Sequence, residues 1–176
     1  MQMEFVGHAI VSADGMIADD RRRMPAALRN DKDWQRFQAA LDAAALVVLG
    51  RLGHEAHPNP GRQRLVVTGG VHGLVRDAND SRAWRWNPAD LPVDDVLRRL
   101  GVEAGTIAVT GGRAVFDLFL PLFTRFDLVT AESVQLPGGV PCFSSGMPRQ
   151  VLADAGLHPG PVEQFDPGVT LQIWRR

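Results

Sequence analysis

Thr106-Ile107-Ala108-Val109-Thr110-Gly111-Gly112-Arg113-Ala114-Val115-Phe116 decides the fold. Its first five residues are aliphatic or β-branched and read as a buried strand that the glycine pair ends. Val115, Phe116, Phe119 and Leu120 then recur at helical spacing as far as Pro121. About sixty residues earlier, Leu46-Val47-Val48-Leu49-Gly50-Arg51 repeats the arrangement of strand, glycine and helix start. A glycine at such a junction lets the backbone approach a ligand closely. The unpaired N–H groups and dipole of the helix start attract an anion. Two such junctions suit the separated phosphates of one dinucleotide, so a nucleotide-dependent enzyme is the first expectation.

Working outward, residues 4–11 read as a buried strand that Ser12-Ala13-Asp14-Gly15 turns. Residues 18–30 are a polar loop with Arg21-Arg22-Arg23 and Pro25. Trp34, Phe37, Leu41, Ala44 and Ala45 mark a helix, with Asn30 as its cap. Further strands are expected at 46–49, 64–68, 107–110 and 126–131, with a short edge strand at 84–86. Val93, Val96, Leu97 and Leu100 mark a helix that Gly101 closes. From Gln135 onward no helical period is evident, and the segment reads as strands and loops. Val169, Leu171 and Ile173 alternate, which predicts one buried and one exposed face. The expectation is a single domain over 1–176. It is an α/β three-layer sandwich around a mostly parallel sheet of about eight strands, with an antiparallel C-terminal edge.

Bulk composition narrows the classes. A formal net charge of −1 argues against broad attraction to nucleic acid or anionic membranes. No apolar run approaches the ~20 residues of a membrane-spanning helix. The one cysteine, Cys142, leaves no internal disulfide and suits a reducing compartment, read as an inert buried thiol. With no signal-peptide pattern at the start, a cytoplasmic location is expected. His54-Glu55-Ala56-His57 superficially looks like a zinc motif. Its histidines lie at i, i+3 beside Pro58 rather than at i, i+4, so no metal is expected.

Four segments together resemble the dihydrofolate reductase superfamily, which includes the reductase domain of bifunctional riboflavin-biosynthesis enzymes. Ser12-Ala13-Asp14-Gly15-Met16-Ile17-Ala18 resembles the riboflavin-type "S-x-D-G-x-I-A" segment. Leu49-Gly50-Arg51-Leu52-Gly53-His54-Glu55 resembles the dihydrofolate reductase "M-G-R-x-T-x-E" segment. Gly61-Arg62-Gln63-Arg64-Leu65-Val66-Val67-Thr68 resembles "G-R-x-N-I-V-L-S", and residues 107–116 resemble "I-x-V-I-G-G-x-x-V-Y". Order and spacing are kept over nearly the whole chain.

The resemblance implies an NADPH-dependent reductase, with Gly111 and Gly112 joined by a cis peptide. Cofactor contacts are implied for Ile17, Gly50, Arg51, Leu52, Gly53, Thr68, Gly69, Gly111, Gly112, Arg113, Ala114 and Val115. Arg51 and Thr68 would serve the 2′-phosphate, and residues 112–115 the diphosphate. Ala9 and Ile17 would lie near the nicotinamide, under a lid formed by 18–30. On the substrate side the resemblance implies a carboxylate anchor, with a phenylalanine one helical turn later. Asp33 and Phe37 have that i, i+4 spacing, and Thr130 would support the same ring.

Two departures stand out: Gly53 replaces a threonine, and Met16 replaces a basic residue common in the riboflavin type. Three functions follow. The first is hydride transfer to a C=N bond of a dihydropterin. The second is reduction of a ribosylamino-pyrimidine phosphate. The third is a non-catalytic nucleotide-binding module. Against these stand plainer readings: Asp33 as a helix-terminal residue completing the cap, Phe37 as core, Asp14 as a turn residue, and Arg21 to Arg23 as solvated loop. The resemblance leaves a monomer or a homodimer open.

Overall fold

The structure, a computed structural model, describes residues 2–176. The chain opens with β1 (Met3–Ser12), the short β2 (Met16–Ala18) and α1 (Asp31–Ala43). Next come β3 (Leu46–Gly50), α2 (Arg51–Ala56) and β4 (Arg64–Val67), then β5 (Leu74–Arg76) and β6 (Ala83–Trp86). After α3 (Val93–Leu100) follow β7 (Gly105–Val109), α4 (Arg113–Phe119) and β8 (Arg125–Ala131). The C-terminal part holds β9 (Val140–Pro141), α5 (Pro148–Asp154), β10 (His158–Asp166) and β11 (Val169–Arg175).

Among the described residues, nine strands form one sheet in the order β10-β11-β8-β1-β7-β3-β4-β6-β5. From β8 to β6 all neighbours run parallel, while β11, β10 and β5 are antiparallel to their partners. Strands β2 and β9 pair separately and tether the chain after β1 to the segment before α5.

Parallel strands between helix layers must bury both faces, which is why β3 is continuously aliphatic. Leu46 and Val48 point into the larger core with Val96, Leu97, Phe116, Phe119 and Leu152. Val47 and Leu49 point the other way, under Leu41 and Phe37 of α1. An aromatic cluster fills the space below α4: the Phe116 and Phe126 rings meet edge-on at 5.4 Å, and Phe123 meets Phe126 at 5.2 Å. Gly7 is needed there, since a Cβ on it would lie 2.2 Å from the Phe126 ring. Helix α1 starts as its sequence predicts. The Asn30 side chain accepts from the Asp33 N–H at 2.8 Å, a cap worth about 1 kcal/mol. Gly101 closes α3 in the left-handed region at φ 69°.

The structure corrects four expectations. Helix α5 lies where only strands and loops were expected, because seven residues with Val151 and Leu152 inside are too few to display a helical period. Both edges of the sheet are antiparallel, not the C-terminal edge alone. Trp84 and Trp86 stand on β6, the second strand from that edge, because β5 lies outside them. Finally, β11 is covered on both faces: Thr170, Gln172 and Trp174 are buried as well as Val169 and Leu171.

Candidate active site

Both glycine junctions reach the C-terminal end of the sheet and meet there. Since β3 and β7 are neighbours, the Gly50 N–H donates to the Gly111 carbonyl at 2.9 Å. The Gly111–Gly112 peptide is cis. A Cβ on Gly50 would stand 3.6 Å from Val115 and 3.7 Å from the Gly112 nitrogen, so the junctions are in contact. Gly111 has φ 98°, and a Cβ there would come 2.8 Å from the Phe116 ring, so glycine is required. Ile17 of β2 closes the group, its Cδ1 lying 3.9 Å from a Cβ position on Gly112. The N–H groups of Arg113, Ala114 and Val115 find no acceptor among the described residues. The place thus offers close backbone approach and free donors, which fits a diphosphate.

The rest of the expected cofactor set is less assembled. Arg51 and Leu52, at the start of α2, are about half exposed, and Arg51 pairs with Glu55 at 3.0 Å. Thr68 lies just past β4, where its hydroxyl accepts from the Gly70 N–H at 3.1 Å. Around Gly69 there is open space, and Gly53 lies over Leu49.

On the substrate side, α1 carries Asp33 and Phe37 toward β1. The Asp33 carboxylate is half-buried and has neither a hydrogen bond nor an ion pair among the described residues. Burial pushes its pKa up to about 6, against a smaller lowering by Arg36. Phe37 meets the His8 ring edge-on at 5.9 Å and the Trp34 ring at 6.0 Å. Beneath them sits a buried ionic group. Asp127 of β8, 2% exposed, accepts from Arg36 at 2.7 Å and from Arg125 at 2.6 Å. His8 Nδ1 lies 3.8 Å from the same carboxylate. Burial alone would raise the Asp127 pKa, but the hydrogen bonds from Arg125 and Arg36 more than offset it and hold it low. Burial takes His8 down to about 4, so its imidazole is neutral at pH 7 despite Asp127.

Sequence reasoning missed His8, Arg36, Arg125 and Asp127. The signal was present: His8 interrupts Phe5-Val6-Gly7-His8-Ala9-Ile10-Val11, and Asp127 interrupts Phe126-Asp127-Leu128-Val129. A charged residue inside a buried strand requires partners.

Two expected substrate contacts do not join this group. Along β8, Asp127 and Val129 face α1, whereas Phe126, Leu128 and therefore Thr130 face the larger core. Thr130 lies on the opposite face of the sheet from Asp33. Ala9, by the same alternation on β1, packs into the larger core while His8 takes the α1 side. Asp14 is a turn residue: it accepts from the Ser12 hydroxyl at 2.5 Å and from the Leu136 N–H at 3.0 Å. The 18–30 segment folds on itself, the Asp19 carboxylate accepting from the N–H groups of Arg21 and Arg23 at 2.9 Å each. The thiol of Cys142 is buried, and burial pushes its pKa up.

No family model matches the sequence, and no curated protein matches it. Solved structures do match over the full length. A protein assigned to riboflavin biosynthesis from Shewanella sp. PV-4 is 19% identical, with a TM-score of 0.71 and 99% of each chain covered. A diaminohydroxyphosphoribosylaminopyrimidine deaminase/5-amino-6-(5-phosphoribosylamino)uracil reductase from Thermotoga maritima is 17% identical. It matches with a TM-score of 0.70 over 99% of this chain and 56% of its own. Dihydrofolate reductase from Enterococcus faecalis, complexed with NADP(H), is 16% identical, with a TM-score of 0.66 over 98% of this chain and 96% of its own. The strand order, the meeting of the two glycine junctions and these full-length superpositions together identify the fold of this chain as that of the dihydrofolate reductase superfamily.

Proposed function

We propose that the protein is an NADPH-dependent reductase that transfers a hydride to a C=N bond of a dihydropterin, such as dihydrofolate or a dihydromethanopterin. The observation that carries the reading is Asp33. A half-buried carboxylate with no hydrogen-bond or ion-pair partner among the described residues, its pKa pushed up to about 6, stands on a helix that also presents Phe37. A group in that state holds or releases a proton at working pH, which is what a C=N acceptor requires before it takes a hydride.

Gly50, Gly111, Gly112 and the N–H groups of Arg113, Ala114 and Val115 would hold the cofactor's diphosphate, with Ile17 against the nicotinamide end. Arg51, Thr68 and Gly69 would serve the 2′-phosphate; Arg51 would exchange the weak exposed pair with Glu55 for a stronger phosphate contact. Bound NADPH would supply the hydride. The chain's own part is to align the two rings, which removes much of the entropic barrier. Asp33 would accept hydrogen bonds from the amidine edge of the substrate and favour its protonation. Phe37 would pack on the ring, and neutral His8 would offer an uncharged nitrogen beside it. The orientation of α1, and hence of Asp33, depends on the Arg36–Asp127 pair.

The alternative acceptor, a ribosylamino-pyrimidine phosphate, is favoured by the Ser12 to Ala18 segment. It needs a cation for its phosphate, for which Arg21, Arg22 and Arg23 of the exposed loop are the candidates. The test is NADPH oxidation by purified protein against a panel of dihydropterins and the pyrimidine phosphate. Turnover on a dihydropterin that falls at least tenfold in Asp33→Asn, with NADPH affinity unchanged, is the expected result. Turnover on the pyrimidine alone would replace the first reading with the second. NADPH binding without turnover on either would favour a non-catalytic nucleotide-binding module.

A further inference from the structure

Asp33 and Arg36 stand one turn apart on α1. Residues at that spacing are neighbours on the helix surface, and an aspartate and an arginine there ordinarily pair. Here they do not: Asp33 has no ion pair among the described residues. The Arg36 guanidinium instead reaches down to the sheet and donates to Asp127 Oδ2 at 2.7 Å. Asp127 is the stronger partner because it is 2% exposed, so water screens its attraction for a cation very little.

The buried group nevertheless holds two guanidiniums against one carboxylate, since His8 is neutral at pH 7. Arg125 binds Asp127 twice, at 2.6 and 2.9 Å, and also feels the charge of Glu4 on β1. Arg36 is therefore the cation with charge to spare, and Asp33 is the carboxylate within its reach along the helix. The other charged groups around α1 are engaged elsewhere or turned away. Lys32 donates to the Phe165 carbonyl at 2.8 Å, and Asp166 of β10 accepts from Asn30. Arg62 is taken by Asp42 and Gln38. Arg29, Asp31 and Arg21 to Arg23 are exposed, and exposed His57 stands against Trp34.

We propose that Asp127 is a positioning residue for Asp33: by holding Arg36 against the sheet, it keeps that guanidinium from closing on Asp33 and leaves the carboxylate open to a proton and to substrate. The catalytic use of this device rests on the reading of Asp33 as the substrate anchor; its effect on Asp33 itself does not. Cutting the Arg36–Asp127 pair from its two ends then has opposite consequences. Without Asp127, Arg36 turns to Asp33 and stabilises its ionised form. Without Arg36, Asp33 loses a cation that favours ionisation, and burial acts on it unopposed. A tie that only held α1 in place would give the same change whichever end was cut.

The experiment is a carbon-13 NMR titration of the Asp33 carboxyl in the full chain, the signal being assigned by its absence in Asp33→Asn. Wild type, Asp127→Asn, Arg36→Met and Arg36→Met/Asp127→Asn are compared, with circular dichroism as the check on folding. The midpoint should fall by at least about one pH unit in Asp127→Asn. It should rise in Arg36→Met, and the double variant should follow Arg36→Met, because no guanidinium is left to turn. Asp127→Asn strands two guanidiniums. If it does not fold, Arg125→Met/Asp127→Asn replaces it, since that variant removes one of the two and still releases Arg36. Midpoints that move in the same direction in Asp127→Asn and Arg36→Met, or a midpoint unmoved by loss of Asp127, would overturn the proposal. Dihydropterin turnover against pH separates this outcome from that of the reductase reading. A rate midpoint that follows the NMR midpoint supports both. Opposite NMR movements in a chain that turns over no dihydropterin would support the hold on Arg36 and overturn the anchor role of Asp33.

Discussion

The two halves of the candidate active site are built from different material. The proposed cofactor half is backbone: Gly50, Gly111 and Gly112 brought together by adjacent parallel strands, with N–H groups of α4 beside them that find no acceptor among the described residues. The proposed substrate half is side chains: Asp33 and Phe37 on a helix anchored over His8 and Asp127. Backbone sites depend on whether a Cβ is present, and sequence states that directly. Side-chain sites depend on which faces meet, and the sheet pairing decides that.

The comparison breaks most sharply at Gly111. Gly111→Ala places a methyl group 2.8 Å from the Phe116 ring at a positive φ. It should lower stability by about 2–3 kcal/mol and raise the NADPH Kd at least about a hundredfold. Thermal melting and cofactor titration measure the two effects, and a variant with wild-type binding would remove the cradle from the cofactor half. The matching cut on the substrate half is Asp127→Ala, which leaves Arg36 and Arg125 facing each other without their shared carboxylate. A loss of about 3 kcal/mol in denaturant unfolding is expected, together with weaker substrate binding, since α1 loses its tie to β8.

A pH experiment separates the two charged members of the substrate half. Asp33 has a raised folded pKa near 6. Burying it costs nothing below the unfolded carboxylate range near 4, and destabilises progressively as pH rises through 6. His8 has a folded value lowered to about 4, so its neutral burial costs nothing above about 6.5 and destabilises as pH falls from there toward 4. The two slopes oppose each other across the same window. Wild-type stability should therefore change little between about pH 4 and 6.5 from these groups. Asp33→Asn should become less stable on acidification through that window, and His8→Asn more stable. Parallel profiles for the two variants would show that one of these environments is misassigned. The smallest effect belongs to Arg51→Ala: an exposed pair is lost at almost no cost in stability. NADPH affinity should fall several-fold while NADH affinity stays the same. A loss shared equally by both cofactors would remove Arg51 from the 2′-phosphate.

What could be read without coordinates was what a single residue type enforces locally. Asn30 capping α1, Gly101 ending α3, and the glycines after β3 and β7 each follow from one residue's stereochemistry and its immediate neighbours. The aliphatic run of β3 and the strand–helix alternation gave the parallel core, because burial on both faces permits little else. The structure alone decided which distant residues share a face. Thr130 and Val129 are equally plausible in sequence, yet the pairing of β8 with β1 turns Thr130 away from Asp33 and aims Asp127 at Arg36. The hidden α5 and the outer strand β5 come from chain segments too short to leave a periodic signal. Periodicity records which side of an element is buried; only the packed sheet determines what that side meets.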